Sequence, residues 1–86
     1  MTIGQLKSVM KFHLKNFNDE GVPINDDTIH KDVLSEDDGF GTANSKNIYK
    51  ALIRRTLKRE GHEDKRWPNN WMDLSVGELA PRLIDE

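Results

Sequence analysis

The chain has no cysteine, which excludes disulfide staples, thiolate metal sites and cysteine nucleophiles and fits a cytoplasmic setting. No apolar run approaches the roughly 18 residues needed to cross a bilayer, and the N-terminus lacks the charged-then-apolar layout of a signal peptide. The expectation is a cytoplasmic domain that does not enter a membrane. His13, His30 and His62 never fall at the i, i+4 spacing that lets two imidazoles reach one ion, so no zinc site is expected. There is also no alternating run long enough for a strand, no repeat and no low-complexity tract.

What is present is a near balance of apolar residues, 35%, and charged residues, 33%, typical of a small, highly solvated domain rather than a disordered tail. Residues 1–86 are expected to form a single helical domain with a core near the lower limit of what folds unaided. The net charge of −2 conceals a segregation. Residues 19–38 hold Asp19, Glu20, Asp26, Asp27, Asp32, Glu36, Asp37 and Asp38 against Lys31, whereas residues 46–59 hold Lys46, Lys50, Arg54, Arg55, Lys58 and Arg59 with no acid. The folded molecule should therefore carry one acidic and one basic region.

Thr2-Ile3-Gly4-Gln5 reads as a capping box, and Ile3, Leu6, Val9, Met10, Leu14 and Phe17 recur at helical spacing, predicting a first helix that stops near Asn18, before Gly21. Lys7, Lys11 and Lys15 fall on its wet side. Asn25-Asp26-Asp27-Thr28 forms an acidic cap cluster ahead of Ile29, Val33 and Leu34, which predicts a short helix. Residues 35–44 combine two glycines with several turn formers and read as a loop, pinned to the core by Phe40. From Ser45 to Glu60, Ile48, Tyr49, Leu52, Ile53, Thr56 and Leu57 mark one face of a central helix that Gly61 terminates. Trp67 and Trp71, four apart, either pack beneath that helix or form an exposed aromatic anchor. A second capping box, Ser75-Val76-Gly77-Glu78, announces a last helix that Pro81 should kink or delay. The fold class these elements predict is all-α, a small three- to four-helix bundle.

Catalysis finds little support. Ser35, Ser45 and Ser75 each sit by a helix start, where serine ordinarily caps backbone N–H groups, and no histidine and carboxylate are fixed beside any of them. Gly39-Phe40-Gly41 lacks the preceding strand and the following Gly-Lys-Ser/Thr of a phosphate loop. As a calcium loop, the acidic segment places Leu34 or Phe40 where an oxygen ligand is required. Lys46, Lys50, Arg54 and Lys58 are four apart and form a candidate partner-binding stripe, for a protein or for a phosphate backbone. The negative net charge and the long loop before the helix make nucleic acid the less favoured partner. In the alternative, the stripe faces the acidic 19–38 region of the same chain or is simply solvated.

Three segments resemble acyl carrier proteins in order and rough distance. Asn25 to Leu34 resembles the family's segment leading to its modified serine, Asn44-Ser45-Lys46 stands where that family has Asp-Ser-Leu, and Ser75-Val76-Gly77-Glu78-Leu79 is similar to its closing Thr-Val-Gly-Asp-Leu. The resemblance implies an acyl-carrier-like bundle without enzymatic activity of its own, 4′-phosphopantetheine on Ser45, and a transferase that installs it. A phosphodiester there would sit by the positive end of a helix dipole. Typical carriers present an acidic second helix to basic patches on their enzymes; the basic helix here implies a changed set of protein partners.

Overall fold

The computed structural model describes residues 1–35 and 44–85. Three α-helices, α1 (Ile3–Phe17), α2 (Ser45–Arg59) and α3 (Val76–Leu83), are joined through two 3-10 turns, His30–Asp32 and Trp71–Asp73. No strand occurs among the described residues, where Ile29 and Ser75 form an isolated antiparallel bridge. The all-α expectation therefore holds, with three helices.

Each helix is delimited by side chains the sequence supplies at its ends. In α1 the Thr2 hydroxyl accepts from the Gln5 N–H at 3.1 Å while the Gln5 amide oxygen accepts from the Thr2 N–H at 2.8 Å, so two otherwise orphaned donors are satisfied. After α1, the Asn18 side chain brackets Val22, donating to its carbonyl at 2.7 Å and accepting from its N–H at 3.0 Å. Gly21 makes that reversal possible with a φ of 71°. In α3 the Ser75 hydroxyl accepts from the Glu78 N–H at 3.1 Å and the Glu78 carboxylate accepts from the Ser75 N–H at 3.0 Å. The helix starts at this box and continues through Pro81 to Leu83. Pro81 is exposed, and it neither delays nor ends the helix.

α1 packs against both other helices. Leu6, Met10 and Leu14 of α1 meet Tyr49, Ile53 and Leu57 of α2 and Leu79, Ala80 and Leu83 of α3 in one core cluster. Trp67 and Trp71 belong to this cluster, 5% and 4% exposed. Trp67 packs edge-on to Trp71, which in turn stacks on Tyr49 with ring centroids 5.9 Å apart. The tryptophans therefore pack beneath α2, and the exposed-anchor alternative does not hold.

Two local expectations need correction. The short helix ahead of Leu34 is reduced to the turn His30–Asp32. Asn25 accepts the Asp27 N–H on its side chain at 2.8 Å, and the Thr28 hydroxyl accepts the Asn25 N–H and donates to the Pro23 carbonyl, both at 2.8 Å. Side chains of this kind offer the backbone a turn in place of a helix. The segment instead lies along the entrance of α3, where the Asp26 carbonyl accepts from the Gly77 N–H, the Thr28 carbonyl accepts from Val76, and the His30 N–H donates to Leu74. A Cβ on Gly77 would stand 3.2 Å from the Asp26 carbonyl oxygen, so the close approach favours glycine. The second correction concerns the wet side of α1. Lys7 and Lys11 converge on the Asp26 carboxylate at 3.3 and 2.9 Å, so these lysines tie α1 to the 22–28 segment. Phe40 lies outside the described residues.

Candidate functional site

The outward face of α2 is fixed by what the helix buries. Tyr49, Ile53, Thr56 and Leu57 point into the core. Asn47, Ile48, Ala51, Arg54, Arg55, Lys58 and Arg59 are exposed. Ile48 was expected on the apolar face but is 40% exposed.

A row spaced every four residues advances about 40° around a helix at each step, so the four predicted stripe residues sit in different surroundings. Lys46 is half-buried at the start of α2, and its backbone N–H donates to the Ser35 carbonyl at 3.1 Å. The Lys50 ammonium lies 5.6 Å from the centre of the Trp67 ring, within cation–π range. The Arg54 guanidinium holds the Asp64 carboxylate through two bonds, Nε to Oδ1 at 3.2 Å and Nη2 to Oδ2 at 2.6 Å. Those bonds from Arg54 hold the Asp64 carboxyl below the ordinary carboxylate range. Lys58 stands exposed and forms no ion pair among the described residues.

Arg55 and Arg59 lie outside the four-residue row, yet both are exposed and make no ion pair among the described residues. A helical wheel drawn against Tyr49, Ile53 and Leu57 marks Arg55 as the outermost cation, and that signal was available in the sequence. Arg54 takes its acid from the 61–66 segment rather than from the 19–38 region.

A cleft of about 580 Å³ opens beside this face. Ala51 and Leu57 give it an apolar floor, Arg54, Arg55 and Lys58 a basic rim, and His62 and Asp64 a far wall. Its geometry follows from how α2 ends. Gly61, with a φ of 81°, turns the chain so that its own N–H donates to the Lys58 carbonyl at 3.1 Å and the His62 N–H to the Leu57 carbonyl at 2.9 Å. This pair of bonds is a Schellman cap, which folds the second residue beyond the helix back over its last turn. His62 Nε2 is buried and has no hydrogen-bond partner.

Ser45 occupies the first turn of α2, half-buried. The N-cap is Asn44, whose side-chain oxygen accepts from the Asn47 N–H at 3.1 Å, so the capping role expected of Ser45 falls one residue earlier. The Ser45 hydroxyl accepts from the Ser35 N–H at 2.8 Å and lies 3.3 Å from both the hydroxyl and the carbonyl oxygen of Ser35. Phe17, Val33 and Ile48 line a hollow of about 250 Å³ beside it.

The buried histidine was not anticipated. His30 is fully buried, with Nδ1 2.7 Å from the Leu74 carbonyl oxygen and Nε2 3.0 Å from the Tyr49 hydroxyl. A carbonyl can only accept, so Nδ1 carries the proton and Nε2 accepts from Tyr49. Burial pushes the His30 pKa below its ordinary 6.5, opposed by the Leu74 carbonyl, and pushes the Tyr49 pKa up. Sealed from solvent, this pair holds the fold together and offers no surface to a substrate. Among the described residues, no three His, Asp or Glu side chains gather as a metal site, and no helix is long and apolar enough to cross a membrane.

No family model, no curated protein and no solved structure matches this chain.

Proposed function

We propose that the chain is a non-catalytic docking module that presents the outer face of α2 to an acidic protein surface. The observation that carries this reading is the grouping of Arg55, Lys58 and Arg59 on exposed helix surface, without ion pairs among the described residues, next to the exposed Ile48 and Ala51. Like charges held this close repel one another. A carboxylate-bearing partner relieves that repulsion, and the exposed apolar side chains add area to bury. Nucleic acid fits less well. A phosphate-tracking row needs free cations at regular intervals, whereas Lys50 lies against Trp67 and Arg54 is clamped to Asp64. The test is cross-linking coupled to mass spectrometry in the cell of origin, comparing the natural chain with an Arg55→Glu, Lys58→Glu, Arg59→Glu variant whose fold is checked by circular dichroism. The expected result is a protein partner cross-linked to α2 whose recovery falls about tenfold or more on charge reversal, in line with the loss of a few charge pairs. Unchanged recovery, or nucleic acid in place of protein, defeats the reading.

A second reading is an acyl-carrier-like domain carrying 4′-phosphopantetheine on Ser45. It draws support from the Asn44-Ser45-Lys46 and Ser75-Val76-Gly77-Glu78-Leu79 segments and from the hollow beside Ser45, where Phe17, Val33 and Ile48 offer an apolar cargo a resting surface. Modification requires the Ser45 hydroxyl to give up its bonds to Ser35. Incubation with coenzyme A and a promiscuous phosphopantetheinyl transferase should add one phosphopantetheine mass to the intact chain and none to Ser45→Ala. An unmodified mass, or a gain that survives the substitution, ends this reading.

A further inference from the structure

Taking the docking reading as its premise, we infer that the cleft between α2 and the 61–64 segment receives one large apolar side chain of an acidic linear peptide, with Arg55 and Lys58 holding the flanking carboxylates. Two features of the cleft point to this occupant. Its floor, Ala51 and Leu57, has no polar side chain, and at about 580 Å³ it falls in the size range of pockets that enclose a small ligand or an interface anchor. Its rim cations that are unpaired among the described residues, Arg55 and Lys58, stand about 4.5 Å apart along the helix axis. An extended peptide covers that interval with one or two residues, so carboxylates adjacent to the anchor fall opposite the rim.

Other occupants fit less well. A phosphate or other small anion would leave the apolar floor uncovered. Two of the remaining hollows lack this combination. The one bounded by Phe17, Asp19, Glu20 and Asp32 is acidic, and the one bounded by Lys50, Arg66 and Trp67 is occupied in part by the contact of Lys50 with the indole.

The probe is a library of random dodecapeptides displayed on phage, selected on the immobilised full chain at low salt. Enriched sequences are then synthesised with a fluorescein label for anisotropy measurements. The expected consensus places Asp or Glu around a single Leu, Phe or Trp, and replacing that residue with Ala should weaken binding at least tenfold. The deciding variant is Ala51→Arg. It fills the floor while adding positive charge at an exposed position, so an anchored peptide loses at least tenfold in affinity, whereas a purely electrostatic one gains. Ala51→Ser controls for folding and should bind as the natural chain does. Absence of enrichment, a consensus without acids or without an anchor, or binding that tightens in Ala51→Arg overturns the inference. A concentration-dependent dimer that Ala51→Arg dissociates assigns the cleft to a second copy and overturns it as well. If charge reversal at Arg55 and Lys58 weakens binding but Ala51→Arg does not, the cleft is wrong and the docking face stands. Indifference to both changes defeats the docking reading itself.

Discussion

A single imidazole ties three parts of the chain together. His30 bonds the Leu74 carbonyl through Nδ1 and the Tyr49 hydroxyl through Nε2, and its ring meets Trp71 edge-on with centroids 5.5 Å apart. Tyr49→Phe isolates one of these links. The phenyl ring retains the stacking area against Trp71, so apolar burial changes little, but the imidazole acceptor loses its donor in a site closed to water. An unsatisfied buried polar group costs about 1–3 kcal/mol. Urea unfolding of the variant should show a loss of that size with an unchanged m-value, and a variant as stable as the natural chain would show that the bond contributes nothing. Residues of this kind are hard to find in a sequence. A lone histidine between Ile29 and Lys31 has no periodic neighbour to mark it as buried, and its partners are 19 and 44 positions away. Arg55 was within reach of a helical wheel, whereas a four-residue spacing rule selects Lys50 and Arg54, which the fold spends on Trp67 and Asp64.

At the scale of elements, legibility follows how local the determining interactions are. The starts of α1 and α3 were readable because a capping box is written within four consecutive residues, and both boxes form. The end of α2 was readable for the same reason, since Gly61 supplies the positive φ a Schellman cap requires. The short helix expected over 29–34 is reduced to the turn His30–Asp32 because the cap-like residues before it satisfy one another in a turn, and because the segment's backbone partners, Val76, Gly77 and Leu74, lie nearly fifty residues further on. Lys7 and Lys11 looked solvated for the same reason, since the carboxylate they share becomes a neighbour only once the 22–28 segment has folded back along α1. Pro81 shows the converse. It removes the N–H that would bond the Gly77 carbonyl, a local penalty that predicts a break, yet Leu79, Ala80 and Leu83 are buried on either side of it. Burial of those side chains outweighs the missing bond. The cleft was not legible at all, because it exists only where the end of α2 and the returning 61–64 segment face each other.

For the molecule as a whole, these side chains make stability depend on pH, and the direction can be derived. A small domain has only about 5 kcal/mol to lose, so the titration of one buried group is felt globally. Burial depresses the pKa of His30, and desolvation depresses that of His13, below the ordinary value of 6.5. In the window just below 6.5 the unfolded chain therefore binds protons that the folded chain does not. Acidification through that window favours unfolding, with a slope of at most about 1.4 kcal/mol per pH unit for each such proton. At pH 6.5 the unfolded imidazoles are still half protonated, so the slope from them fades only about one unit higher, where both states are neutral at these positions. Further loss follows as pH falls through the ordinary carboxylate range of 3.8 to 4.5, because Asp26, Asp64 and Glu78 have folded-state pKa values lowered by their lysine, arginine and Ser75 partners respectively. Urea midpoints at pH 8.5, 7.5, 6.5, 5.5 and 4.5, followed by tryptophan fluorescence through Trp67 and Trp71, should be nearly level between the first two, begin to fall by pH 6.5 and decline more steeply below it. His30→Gln retains a side chain able to hydrogen-bond at this site but cannot titrate. It should be less stable at pH 7.5 and flatter between pH 6.5 and 5.5. A decline in that interval as steep as that of the natural chain would place the titrating group elsewhere and remove His30 from the account.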